Sequence, residues 1–239
     1  TIGDSAFENC SKMSGDLEFP EKLTSIGSRA FYNGSSIGLV SIPVSVTSIG
    51  SSAFENSASG SSLTIYGCSG KETVDGKEVG ALGDGTNSIF RNSNYSNITI
   101  GGSVKIIKEY ASQYGGRLSG KLDIRGEVQE IRKLAFDTCD NLTELSLDNG
   151  HIQKIYEGAF ARCRRVEGGL YIPKTVNYME RCAFKQFAEL TPPEKLGELK
   201  VYGTSDDKGN LGNPDLNSDG APLFSSAHFK NVTIGGNVT

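Results

Sequence analysis

Two histidines, five cysteines and one aspartate-rich stretch are the residues of this 239-residue chain whose types and spacing could do chemistry. The stretch Asp215-Leu-Asn-Ser-Asp-Gly220 sets side-chain oxygens at Asp215, Asn217 and Asp219 ahead of a glycine. Calcium loops begin in this way, because the backbone must turn tightly about the ion. The twelfth position is Ser226 instead of a bidentate glutamate, so the stretch reads as a polar turn, with weak calcium binding as the alternative. No other cofactor is implied. His151 and His228 stand apart from any nucleophile, and His228 gains a catalytic role only if Asp206 or Asp207 orients it in a cleft. Nucleophile-elbow, phosphate-loop and HExxH motifs are absent. The glycine-rich run Gly80-Ala-Leu-Gly-Asp-Gly85 lacks the strand and helix context of a dinucleotide site and reads as a loop.

The elements that position these residues come from an internal repeat. An aliphatic residue, three variable residues and Ala-Phe recur as Ile2…Ala6-Phe7, Ile26…Ala30-Phe31 and Ile49…Ala53-Phe54. The phrase returns as Ile131…Ala135-Phe136, Ile155…Ala159-Phe160 and Met179…Ala183-Phe184, and Ile107…Ala111-Ser112 is a copy with serine in the aromatic slot. Between these phrases lie nine apolar-x-apolar triplets, at Leu17–Phe19, Val40–Ile42, Leu63–Ile65, Ile98–Ile100, Leu122–Ile124, Leu145–Leu147, Leu170–Ile172, Leu199–Val201 and Val232–Ile234. Alternation over three residues sends two side chains inward and one outward, as in a short strand. Proline follows several triplets (Pro20, Pro43, Pro173) and ends the strand without costing a ladder hydrogen bond. One coil cannot bury its own apolar face, so the coils must stack, giving a parallel sheet and a rod roughly 40 Å long.

The consensus Leu-x-Ile-Pro-x-x-Val-x-x-Ile-Gly-x-x-Ala-Phe-x-x-Cys resembles the BspA-like leucine-rich repeat, and Val40 to Asn56 follows it almost letter for letter. The resemblance covers nearly the whole chain. It implies a leucine-rich-repeat solenoid with repeats of about 23–24 residues, a curved parallel β-sheet on one face and short helical turns or loops on the other. It also implies an extracellular or cell-surface protein concerned with adhesion and with binding host or matrix proteins.

Residues 1–239 are expected to form one solenoid segment of a longer, monomeric protein. Both ends are cut within a coil and lack a polar capping unit. Two coils are oversized, with insertions at 67–89 and 203–223. They begin alike (Leu63-Thr-Ile-Tyr-Gly67, Leu199-Lys-Val-Tyr-Gly203) and end alike (Asn97-Ile-Thr-Ile-Gly-Gly102, Asn231-Val-Thr-Ile-Gly-Gly236). The chain therefore reads as a duplicated block, about 1–106 and about 107–239, each block closing with a long polar loop.

Cys10, Cys139 and Cys163 follow the alanine of Ala-Phe by four positions, in a slot that Gly34, Ser57 and Gly115 fill elsewhere. The slot wants something small, and a buried free thiol behaves as a small hydrophobe. Cys139 and Cys163 fall on adjacent coils, so a bridge between them stays open; Cys68 and Cys182 are too far apart to pair. The basic residues Arg132, Lys133, Arg162, Arg164, Arg165 and Arg181 interleave with Glu157, Glu167 and Glu180, giving a solvated face or, alternatively, an anion or glycan contact.

A net charge of −4 disfavours nucleic acid as a partner, and no apolar run reaches the roughly 18–20 residues that span a bilayer. The surface left for a protein or glycan ligand is the sheet face, with one outward residue per coil: Glu18, Ser41, Thr64, Thr99, Asp123, Ser146, Tyr171, Lys200 and Thr233. Residues just after the triplets add Tyr66, Arg125, Asp148 and Tyr202. Tyrosine and arginine anchor interfaces most often, so the candidate binding residues are Tyr66, Asp123, Arg125, Asp148, Tyr171, Lys200 and Tyr202. A binding or adhesion module is expected, with a passive spacer as the runner-up. An enzyme is the weakest reading, because no nucleophile, base and orienting group stand at workable spacing.

Overall fold

The computed structural model describes residues 1–57, 60–83, 85–86, 88–112, 117–148, 150–203 and 222–235. The first half holds β1 (Gly15–Glu18), β2 (Ser25–Ile26), β3 (Ile37–Ile42), β4 (Ser48–Ile49), β5 (Leu63–Ile65), β6 (Gly70–Val74), β7 (Lys77–Leu82), β8 (Ser96–Ile100) and β9 (Val104–Ile107). Then follow β10 (Ser119–Ile124), β11 (Glu130–Ile131), β12 (Asn141–Ser146), β13 (Lys154–Ile155), β14 (Leu170–Ile172), β15 (Tyr178–Met179), β16 (Glu198–Val201) and β17 (Asn231–Ile234). The chain winds as a parallel β-solenoid, as the repeat implies. Among the described residues the only helix is one 3-10 turn, Pro193–Lys195.

All nine apolar triplets fall on strands of one side of the coil. They pair in the order β1-β3-β5-β8-β10-β12 and, after a break, β14-β16-β17. The register is the one the triplets set: Val40 opposite Leu63, Leu63 opposite Ile98, Ile98 opposite Leu122, and Leu122 opposite Leu145. Short stretches carrying the isoleucine of the Ala-Phe phrase form a second ladder. There Ile26 pairs with Ile49, and Ile107, Ile131, Ile155 and Met179 pair in succession. This second sheet stands where the sequence suggested only turns or loops.

The third side is a stack of turns. Phe31 N donates to Ala53 O, Phe136 N to Ala159 O and Phe160 N to Ala183 O, each at 2.8 Å. These amides bond to the next coil instead of to a carbonyl four residues back, which is why no helix forms here. Two residues per turn, four apart, take the left-handed conformation, as at Arg29 and Asn33 or Leu134 and Thr138. Asparagine tolerates that region best, and Asn33 and Asn56 also link their side-chain amides to Asn9 and Asn33, at 2.8 and 3.0 Å.

The phenylalanines of the repeat stack along the axis inside these turns. Phe7, Phe31, Phe54 and Phe90 have centroids 5.2, 5.2 and 5.8 Å apart. Phe136, Phe160, Phe184 and Phe224 follow at 5.5, 5.4 and 5.4 Å. The ladder breaks at Ser112, the copy without phenylalanine. Buried Tyr95 packs edge-on against Phe90 at 6.2 Å, and its hydroxyl meets Ser57 Oγ at 3.1 Å.

The insertion at 67–89 is not simply a loop. Residues 70–82 form an antiparallel hairpin of β6 and β7 that turns at Asp75-Gly76, both at positive φ. Strand β7 then takes its coil's place in the second ladder beside β9, so residues 80–82 of the glycine-rich run are strand. The Glu72 carboxylate ties the hairpin to later coils through Lys108 Nζ at 3.3 Å and through Arg132.

The basic cluster of the second half resolves into pairs between adjacent coils. Lys133 and Arg181 hold Glu157 at 2.7 and 2.9 Å, which keeps its carboxyl below the usual range, Lys133 first. Arg164 forks onto Asp140, its Nε 2.8 Å from Oδ1. Arg162 forks onto Asp137, which has no exposed surface, with Nε 3.1 Å from Oδ1. Removing one partner of a buried pair leaves an uncompensated charge. Arg162→Ala is expected to lower the unfolding free energy in chemical denaturation by on the order of 3 kcal/mol, and Arg162→Ala/Asp137→Ala by less. An equal or larger loss in the double variant would deny the pair this role. Phe160→Ala, which empties the middle of the aromatic ladder, should cost about 3–5 kcal/mol in the same measurement.

Candidate functional site

The outward column of the sheet face is in register along most of the rod. Glu18 lies opposite Ser41, Ser41 opposite Thr64, Thr64 opposite Thr99, Thr99 opposite Asp123, and Asp123 opposite Ser146. Beyond the break, Tyr171 lies opposite Lys200 and Lys200 opposite Thr233. Small hydroxylated side chains fill the first half of this face. The seven candidate residues, Tyr66 apart, gather in the second half.

The break is the face's one discontinuity among the described strands. No ladder joins β12 to β14. The two coils meet at Glu167 N, which donates to Thr143 O at 2.7 Å, and no sheet pairing follows. Glycine packing on the other side of β14 accounts for this. A Cβ on Gly197 would fall on the Gly168 carbonyl, and one on Gly169 would lie 2.5 Å from Glu198 O. Gly168 N also donates to Lys195 O at 3.0 Å. Only glycine permits so close an approach of two backbones, and it draws the β14 coil onto that of β16.

A cleft of about 750 Å³ opens along the break. Leu145, Leu147 and Leu170 contribute its apolar part, Glu144 and Asp148 stand on the β12 side, and Glu167, Tyr171, Glu198 and Lys200 on the other. Tyr171 packs on Tyr202 with centroids 5.6 Å apart. Single lysine contacts meet three of the carboxylates: Lys121 to Glu144 at 2.7 Å, Lys195 to Glu167 at 2.8 Å, and Lys200 to Glu198 at 3.2 Å. Thr233 and then Lys200 hold the Glu198 carboxyl below its ordinary value.

A second depression of about 410 Å³ adjoins the cleft and shares Ser146 and Asp148 with it. Asp123 and Arg125 line it, and Arg125 Nε donates to Asp123 Oδ2 at 2.6 Å. The fold thus brings Asp123, Arg125, Asp148, Tyr171 and Lys200 into one continuous groove, with Tyr202 against Tyr171. Tyr66 stands exposed farther along the face, beyond Gly102, whose positive φ and contact with the Tyr66 backbone leave no room for a side chain.

The model of the BspA type leucine rich repeat region matches residues 1–73 and 86–200, in six copies. The chain belongs to that family. Among solved structures, a leucine rich cell surface protein from Faecalibacterium prausnitzii is similar at 17% identity, over 98% of this chain and 83% of its own, with a TM-score of 0.31. No curated protein matches the chain.

In this BspA-type chain the remaining candidates for chemistry are not among the described residues that line the groove. Asp206, Asp207, Asp215, Asn217 and Asp219 fall outside the described residues, as does most of the 203–223 insertion. His151 and His228 are exposed at separate places. Among the described residues no group of three or more His, Cys, Asp or Glu side chains could hold a metal ion, and no helix is long and apolar enough to cross a membrane. Glu144, Glu167 and Glu198 escaped the sequence reading, which counted outward residues one per coil. The doubled glycine at 168–169 before a triplet was the available signal for a fault in the ladder.

None of the five cysteines forms a disulfide, so the bridge left open between Cys139 and Cys163 does not form. Cys139 Sγ points to Ser112 O and Cys163 Sγ to Phe136 O, each at 3.5 Å, and burial pushes the Cys163 thiol far up. The thiolate is the reactive form. In a thiol titration of the native protein, exposed Cys10 should react at once, and Cys139 and Cys163 only after denaturant is added. Rapid native labelling of either would mean that these coils open.

Proposed function

We propose that this chain is a binding module of a cell-surface or secreted protein, and that it grips a protein ligand with the groove on its sheet face. The observation that supports this reading is the convergence at the ladder break. There a cleft with an apolar floor is flanked by the tyrosine pair Tyr171 and Tyr202 and by charged side chains of both signs. Elsewhere the same face offers mostly serine and threonine. Interface energy concentrates in a few aromatic anchors beside a desolvated pocket, and a rigid solenoid presents such a patch without ordering cost. Membership of the BspA-type repeat family accords with an interaction role. An adhesive role and a place outside the cell are part of the same proposal, and catalysis has no part in it.

A panel of immobilised matrix glycoproteins and intact cells, read by biolayer interferometry and flow cytometry, tests this reading. Saturable binding by the full chain is expected. Tyr171→Ala/Tyr202→Ala should weaken it at least tenfold, about 1.4 kcal/mol or more, with an unchanged melting temperature. Binding that the double variant leaves intact would move the site elsewhere. No binding to any member of the panel would favour a spacer.

A further inference from the structure

The groove also carries a statement about the chemistry of its partner, which rests on the reading that the sheet face binds protein. We infer that the cleft between β12 and β14 receives arginine side chains from an extended, basic segment of that partner.

Carboxylates outnumber cations in the lining of the cleft. Glu144, Asp148, Glu167 and Glu198 line it, against Lys200 alone. Among the described ion pairs Asp148 has none, and the other three carboxylates each meet one lysine. Those lysines keep between about a third and a half of their side-chain surface in water. Exposed pairs of this kind contribute little and exchange readily.

The turn face treats acids differently. There Asp137 and Asp140 are each closed by an arginine fork from the next coil, with both carboxylate oxygens taken. At these two positions a guanidinium satisfies the carboxylate at both oxygens. In the cleft the fold supplies a loose ammonium, which an incoming guanidinium can displace, because the planar fork bonds a carboxylate at two points.

The rest of the cleft suits the same side chain. Tyr171 stands at the rim with about a third of its surface exposed, open to a guanidinium on its face. The chain already makes such a contact, with Arg29 stacked 3.8 Å above the Tyr32 ring. Because β12 and β14 have no ladder between them, their facing edges add backbone acceptors along the length of the break. In the adjoining depression Arg125 already closes Asp123, which leaves Asp148, shared with the cleft, as the carboxylate with no ion pair among the described residues.

The test uses the full chain and a fluorescein-labelled peptide alternating arginine with glycine and serine, followed by fluorescence anisotropy at about 0.15 M ionic strength. Saturable binding is expected, with none for the same peptide carrying glutamate for arginine. Glu144→Gln/Asp148→Asn should weaken binding at least tenfold, and Tyr171→Ala about fivefold. Glu18→Gln, at the far end of the same face, should change nothing. Lys200→Ala removes the ammonium from Glu198, leaving only the Thr233 hydroxyl on it, and should tighten binding about two- to fivefold, an effect that general damage to the fold would not produce. The inference is overturned if the arginine peptide binds no better than the glutamate one, if Glu18→Gln weakens it as much as the cleft variants, or if a neutral oligosaccharide occupies the cleft instead. A matrix ligand that is lost with Tyr171→Ala/Tyr202→Ala yet does not compete with the arginine peptide would leave the binding function standing and remove only this inference.

Discussion

The amide of Phe31 donates to the carbonyl of Ala53 in the next coil, and a bond of that kind recurs on every side of the rod. Each coil is thus tied to its neighbour through two strand ladders and a stack of turns, beside the short turn bonds within it, such as Tyr32 N to Arg29 O. The bonds between coils form only if successive coils hold equivalent residues at equivalent heights, which fixes the coil length near 23 residues between neighbouring triplets. Every inward position must then suit its own copy above and below. Phenylalanine satisfies that condition by stacking flat at 5.2–5.5 Å along most of the ladder, as do Asn9, Asn33 and Asn56 by passing an amide hydrogen bond along the axis. Stability in such an array is close to a sum over neighbouring coils, so the aromatic break at Ser112 is a local matter.

The same constraint explains why so much of the fold was legible. A triplet such as Leu63-Thr-Ile65 announces a strand by alternation, and its eight companions fix the register of the whole sheet. The second ladder was not legible, because two-residue strands such as Lys154–Ile155 have no period to detect and become strands only through their neighbours. The hairpin at 70–82 was legible and went unread. Asp75-Gly76 flanked by Glu72-Thr-Val and Lys77-Glu-Val is the strongest short-range signal for a two-residue hairpin turn, but the glycine and serine around it suggested a featureless insertion. The stand-alone β-signal lost to a compositional impression.

The groove was half legible. Counting one outward residue per triplet located Asp123, Tyr171 and Lys200, and one step beyond gave Arg125, Asp148 and Tyr202. What that count assumed was an unbroken sheet. Gly168, Gly169 and Gly197 bring two backbones closer than any side chain would allow and leave the edge of β12 that faces β14 without a ladder. A consequence of that kind depends on contacts between coils about 29 residues apart in sequence, from Leu170 to Leu199, and no single coil displays it. Glu144, Glu167 and Glu198 become neighbours only across this fault.

A strictly regular solenoid gives a partner no reason to choose one coil over the next, since each presents the same small residues in the same geometry. Specificity needs a place where the repeat departs from itself. In this chain the departure is achieved on the sheet face with three glycines, while the turn face remains locked by the forks of Arg162 and Arg164 on the flanking coils. The fault therefore opens one side of the rod without loosening the other. The cleft is left chemically unfinished: three of its carboxylates meet only an exposed lysine and Asp148 no described ion pair, so they are held loosely enough to be claimed by a better donor.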